Sequence, residues 1–416
     1  MEVSSIFLIN RRFIGRGICL KSFEKLHPLL KSFVEKGPAG CACSVTYQGQ
    51  TVFEDYIGYA DLEMRKPIST DTIYRIYSNT KVVTCVAALI LYERGMFLLK
   101  DPLEEYLPEF KELKVYHRNQ NGELAIIPSS KSIRVKDLFM MTSGLTYGGE
   151  GNETERQVTL ALNNYNNDKG SENLDVRTLS KILSDIPLAF EPGTKWHYGY
   201  SHDVLGALIE VLSGKSFGTF LKDEIFDPLE MKDTFFKVPE EKKERLCSLY
   251  NRNENGELTI NSLMDGNYQP EARFENGGGG LLSTLGDYSR FAHMLANGGE
   301  LNNVKILSRK TIELMSTNHL QPEVLPSYNW DYLKGYGYGL GVRVMIDPAL
   351  AGSNSSIGEF GWCGLAGTWV MIDPKEKLSA VYMQQMLPNF EAYHHPRLRS
   401  VIYSSILKKN DFPHLY

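Results

Sequence analysis

The sequence predicts an α/β (α+β) fold in which one antiparallel sheet, flanked by helices and built from both ends of the chain, carries an inserted all-helical domain. Three observations predict it: a hairpin pattern near the N-terminus, a mostly helical middle with long polar loops, and strand patterning that returns toward the C-terminus. With 416 residues, 42% of them hydrophobic, the chain can bury a sizeable core.

Taken in order, Lys21 to Glu35 places Phe23, Leu26, Leu29, Leu30 and Phe33 on one side of a helix, which Gly37, Pro38 and Gly40 end. Cys41 to Tyr47 reads as a strand, Gln48-Gly49-Gln50 as a turn and Thr51 to Tyr59 as the partner strand. A long apolar helix follows Ser78. From Asp101 to Phe236 the pattern is mostly helical: Val135 to Met141, Leu179 to Leu188 and Asp203 to Leu212 read as helices. The Asn-rich stretch Gly151 to Leu174 reads as a polar surface excursion. Leu340 to Ile346, Gly367 to Ile372 and Leu378 to Gln384 read as strands, the last two joined by a hairpin loop at Asp373 to Lys377, and Leu398 to Leu407 as a final helix. The expected division is a sheet domain of residues 21–100 and 265–416, a mostly helical domain of 101–264, and an N-terminal extension of 1–20.

Composition excludes several function classes. The net charge of -5 is spread over interspersed residues of both signs, which gives neither a nucleic-acid face nor a polybasic membrane patch. The longest apolar run, Val82 to Leu91, falls short of the ~20 residues a bilayer span needs. Ile6 to Ile9 precede Arg11 and Arg12, the reverse of a secretory signal, and the six cysteines form no Cys-x-x-Cys pair. The expectation is a cytoplasmic protein with free thiols.

The chemistry concentrates at Ser78 and Lys81, three residues apart at the start of the apolar helix, with no other charge between Arg75 and Glu93. Residues so spaced share a helix face. Burial and the helix N-terminus both disfavour an ammonium, which suits Lys81 to accept a proton from a serine nucleophile. Tyr198, on the Pro-Gly loop ahead of the Asp203 helix, is placed to enter a cleft, where a nearby ammonium is expected to lower its phenol pKa. Gly361-Trp362-Cys363-Gly364 is a glycine-rich strand edge able to expose backbone N–H groups. Asn276 to Gly280 lacks the ending of a phosphate loop and suggests a close backbone approach near the cleft. His197 and His202 are expected to be solvent-facing or structural, because no acidic or second-histidine spacing supports metal binding.

These blocks resemble the serine β-lactamase and penicillin-binding-protein superfamily, most closely the class C β-lactamase-related esterases. The matching segments are Ile76 to Lys81, Asp101-Pro102-Leu103 with Tyr106-Leu107-Pro108, Met141 to Leu145, Pro192-Gly193 through Tyr198 to Leu205-Gly206, Asp227-Pro228-Leu229 with Met231, Gly277 to Leu281 with Ser283-Thr284, and Gly361 to Gly364. The resemblance implies a β-lactamase/transpeptidase-like fold with the site between its two parts. It implies Ser78 as the acylated nucleophile, Lys81 sharing its proton, and Tyr198 as general base. It further implies an oxyanion hole from the N–H groups of Ser78 and Leu365, with Trp362, Cys363, Gly364 and Tyr200 lining the substrate site. No cofactor and no metal are implied.

Two departures stand out. Tyr200 replaces the asparagine of Tyr-x-Asn, and Trp362-Cys363 replaces the Lys-Thr pair that helps hold a substrate carboxylate. An aromatic wall suits an apolar acyl or alcohol group better. The expectation is therefore a serine carboxylesterase acting on a small-molecule ester or amide. The alternatives are a β-lactamase, a D-amino-acid peptidase, an acyltransferase, or a ligand sensor that acylates without turnover.

Overall fold

The computed structural model describes residues 18–119, 121–262, 268 and 271–406. Most of the expected N-terminal extension, and the end of the final helix at Leu407, lie outside the described residues.

An antiparallel sheet of eight strands forms the frame. Its spatial order is Tyr336–Tyr338, Arg343–Met345, Phe360–Cys363, Trp369–Asp373, Leu378–Gln384, Gly40–Tyr47, Gln50–Asp61 and Lys66–Pro67. The N-terminal hairpin joins the C-terminal strands through Gly40–Tyr47 against Leu378–Gln384, with Cys43 opposite Tyr382 and Val45 opposite Ala380. The N-terminal hairpin and the C-terminal strands thus meet in mid-sheet. Every residue of Gly40–Tyr47 is buried, as a central strand covered on both faces requires. Cys41, Cys43 and Val45 face the layer formed by helices Leu26–Lys36 and Glu391–Ser404. Helix Leu285–Ala296 packs on the other face, in the larger core that also holds Thr80–Glu93. Cys41 and Cys43 share a face as free thiols.

Thr80–Glu93 is buried from Thr80 to Leu91, so its apolar composition all round matches a helix enclosed on every side. Ser201–Ser213 packs along it, followed by Val135–Phe139 and Val176–Ser184. The intervening region also carries two hairpins, Lys114–Arg118 with Leu124–Pro128 and Tyr250–Arg252 with Leu258–Ile260. Among the described residues no single helix is long and apolar enough to cross a membrane.

Three expectations need correction. The Asn-rich stretch is not a loop: Glu153–Lys169 is a helix. Asn152 caps it by accepting from the Glu155 N–H, Glu153 and Glu155 occupy the first turn, and Lys169 the last. These end effects offset the weak propensity of its asparagines. The apolar run from Leu340 contains a turn, not a continuous strand. The Gly339 N–H bonds the Val342 carbonyl at 2.8 Å and Gly341 takes φ +82°, which splits the run into a hairpin. The final helix starts at Glu391, with Pro396 inside it. The ring faces solvent while His394, Leu398 and Ile402 bury, and that packing outweighs the one backbone bond proline removes.

Candidate active site

The Ser78 turn is built by strain and close packing. Tyr77, just before it, has φ +44°, a left-handed conformation unusual for an aromatic residue. The chain thereby turns sharply from the Ile73–Arg75 strand into the long helix and presents Ser78 at the helix start. The end of the Phe360–Cys363 strand is pinned beside it. The Thr368 hydroxyl donates to the Ile76 carbonyl at 3.0 Å, and the Asn79 amide donates to the same hydroxyl at 3.0 Å. Gly364 lies so close that an added Cβ would stand 2.4 Å from the Ile76 carbonyl oxygen. Only glycine fits, and Leu365 follows it with its carbonyl accepting from the Asn389 amide.

Lys81 is fully buried. Its Nζ lies 3.3 Å from Ser78 Oγ and 3.0 Å from Tyr147 Oη, and it donates to the Gly278 carbonyl. It also sits 4.5 Å from the centre of the Tyr198 ring. Burial pushes the Lys81 pKa below the ordinary lysine range, against the opposing pull of the Asp203 carboxylate. Burial raises the Asp203 pKa in turn, partly offset by Lys81 and by backbone donors that include the Gly278 N–H at 3.1 Å. Gly278 reaches into this cluster: a Cβ there would stand 2.7 Å from Asp203 Oδ2 and 3.3 Å from Lys81 Nζ. The close approach expected of the Asn276 to Gly280 loop is thus present at the amine itself.

Tyr198 hydrogen-bonds Ser78 and accepts from the Trp362 indole N–H at 3.1 Å. Its phenol pKa does not fall. Burial pushes it well above the usual tyrosine value, although both hydrogen bonds pull the other way. The expected lowering overlooked how deeply the ring is enclosed. Trp196, Trp330 and Trp362 surround it, at centroid distances of 6.1, 5.3 and 5.7 Å. Trp330 belongs to the segment between Gln321 and Tyr332, which therefore borders this pocket.

Ser78, Lys81, Tyr198, Trp362 and Gly364 come together. Tyr200 instead packs edge-on against Tyr147, with ring centres 4.6 Å apart. Cys363 points to the opposite face of the sheet from Trp362 and donates its thiol proton to Glu391 at 3.0 Å. His202 is buried and structural, with Nε2 3.1 Å from the Phe139 carbonyl, while His197 lies 3.3 Å from Glu155.

Sequence reasoning missed Tyr147 and Asp203. Asp203 left a signal, an acid in the first turn of an otherwise apolar helix, yet that position is also where any helix favours an acid. Tyr147 left none, because its approach to Lys81 across 66 residues is a product of the fold.

This arrangement couples a hydroxyl, a dry amine and a phenol, the equipment of nucleophilic acyl transfer. The Beta-lactamase family model matches residues 28–402. Protein Rv1367c of Mycobacterium tuberculosis is 29% identical, with 86% of this chain and 89% of that protein covered. Esterase EstB of Burkholderia gladioli is 27% identical, with 84% and 86% covered. The solved structure of unliganded simvastatin synthase (LovD) from Aspergillus terreus superposes with a TM-score of 0.79 at 21% identity, covering 93% of this chain and 99% of that one. The chain belongs to the beta-lactamase family and is a serine hydrolase.

Proposed function

We propose that the protein is a carboxylesterase that works through an acyl-enzyme on Ser78. The observation that carries this reading is the 3.3 Å approach of the Lys81 amine to Ser78 Oγ inside a fully buried pocket. Because burial lowers Lys81 and raises Tyr198, the neutral amine is the proton acceptor and the phenol the proton donor. Ser78 Oγ attacks the ester carbonyl as Lys81 takes its proton. The N–H groups of Ser78 and Leu365 hold the oxyanion. Tyr198 gives its proton to the departing alkoxide and regains one from the Lys81 ammonium, so the alcohol leaves neutral. Water then attacks the acyl-Ser78 ester, and the same pair moves its proton back to Ser78.

The surroundings support an ester in preference to a penicillin-like substrate. Trp362 turns its indole N–H onto Tyr198, and the Cys363 thiol is engaged by Glu391, so neither offers an anchor for a carboxylate. The aromatic surfaces of Trp330 and Trp362 favour an apolar acyl or alcohol group, in keeping with the relative named as an esterase.

The test is labelling with a serine-reactive phosphonate and mapping of the adduct by mass spectrometry. The adduct is expected on Ser78, with p-nitrophenyl ester turnover abolished in Ser78→Ala and exceeding nitrocefin turnover in the unaltered protein. An adduct on another residue, or faster nitrocefin hydrolysis, overturns the reading.

A further inference from the structure

On the opposite face of the sheet from Ser78, three potential ligands converge that the sequence does not place together. Cys363 ends the Phe360–Cys363 strand, and Glu391 and His395 stand four residues apart on the C-terminal helix, hence on one face of it. One ligand atom from each, the thiol sulfur, a carboxylate oxygen and an imidazole nitrogen, lie within 4.8 Å of one another. Cys363 Sγ is 3.0 Å from Glu391 Oε2. Bonds of about 2.0–2.3 Å to a tetrahedral zinc place ligand atoms on the order of 3.5 Å apart. The three groups therefore need only small side-chain adjustments to share one ion.

The surroundings are of the kind that orient metal ligands. His395 is buried. Its Nε2 lies 3.3 Å from the Gly367 carbonyl, and the ring stacks on Trp369 at 5.5 Å. Tyr332 hydrogen-bonds Glu391. Backbone carbonyls and hydroxyls in these positions hold ligating groups in place. The groups border a small cavity of about 30 Å³, with Arg343 and Arg399 also on its wall. Both arginines are engaged by the buried Glu359, which leaves one excess positive charge. A thiolate and the Glu391 carboxylate together exceed that charge, so a divalent cation is tolerated.

We propose that Cys363, Glu391 and His395 form a binding site for a soft divalent cation of the zinc class, clamping the C-terminal helix to the strand that carries Trp362. Binding forms a sulfur–metal bond as the thiol proton leaves to solvent, with no change of oxidation state. A sulfur, nitrogen and oxygen set is the donor choice of zinc, and a fourth position remains for water. The site is independent of the esterase reading.

The test uses cobalt(II) as a spectroscopic probe on the full chain under reducing conditions, followed by zinc competition. The expected result is a near-ultraviolet thiolate-to-cobalt charge-transfer band that zinc displaces. The band should be lost in Cys363→Ser, and the affinity should fall at least about tenfold in Glu391→Gln. Zinc should raise the melting temperature of the unaltered protein and of Ser78→Ala alike, and not that of Cys363→Ser. Glu391 is only partly buried and glutamine is isosteric with it, so Glu391→Gln is the variant that guards against a result due to unfolding. Absence of the band, or a band that persists in Cys363→Ser, overturns the proposal.

Discussion

Two buried clusters of charge in the molecule are built to opposite ends. Under the sheet, Glu359 is fully buried between Arg399 at 3.0 Å and Arg343 at 3.8 Å. Burial alone would lower the Arg399 pKa, but Glu359, joined by Tyr336 and Tyr403, outweighs it and holds the guanidinium above its ordinary range. In the cleft, Lys81 is equally buried and also faces a carboxylate, yet its pKa falls, because burial wins over Asp203. A charge whose partners exceed its desolvation cost stays fixed. One whose partners fall short of it becomes a group that exchanges protons near neutral pH. Under the proposed mechanism, the difference separates a cluster that holds structure from one that moves protons.

The sharpest way to break this comparison is to remove each charge in turn. Lys81→Met should lower ester turnover by about 10²–10⁴, and it should also cost stability, because the buried Asp203 carboxylate loses its cation. Turnover within a few-fold of normal would remove Lys81 from the proton path. Glu359→Gln should cost stability without touching turnover of the folded protein. It strands two buried arginines and should cost about 3–5 kcal/mol in urea denaturation, while the pH at which activity rises stays put.

Asp203→Asn separates the two charged members of the proposed catalytic cluster. The Asp203 charge raises the Lys81 pKa, so its removal should lower that pKa further and move the rising limb of kcat/KM to lower pH. An unmoved limb would show that Lys81 does not set it.

A smaller effect ties both clusters together through their histidines. Burial, aided by Lys81, holds His202 down to about 3, and burial aided by Arg343 and Arg399 holds His395 well below its ordinary value. Below about pH 6.5 the unfolded chain binds protons at these positions that the folded chain refuses. Stability should therefore fall with falling pH, by about 1.4 kcal/mol per pH unit for each histidine. His202→Gln should flatten that slope in a series of denaturation midpoints, and an unchanged slope would place the acid lability elsewhere.

Sequence by itself determined a great deal. The strand–turn–strand pattern from Cys41 to Tyr59, the apolar length of the Ser78 helix, and the Ser78–Lys81 spacing are local facts. Periods of two and of 3.6 residues per turn translate them directly into faces. The Pro-Gly loop likewise announced Tyr198 ahead of its helix. Local reading failed where end effects overrode composition, as in Glu153–Lys169, and where packing carried a helix through Pro396.

Only the tertiary structure decided which groups share a pocket, and so what their protons do. Tyr147, Asp203 and Gly278 reach Lys81 from separate segments, and three tryptophans enclose Tyr198. A pKa follows from the desolvation and charge summed over all neighbours in space. No window of sequence contains that sum, which is why the phenol rose where the residues alone suggested a fall. The same holds for Cys363 and its neighbours on the C-terminal helix, whose meeting depends on a strand and a helix from different stretches of chain folding face to face.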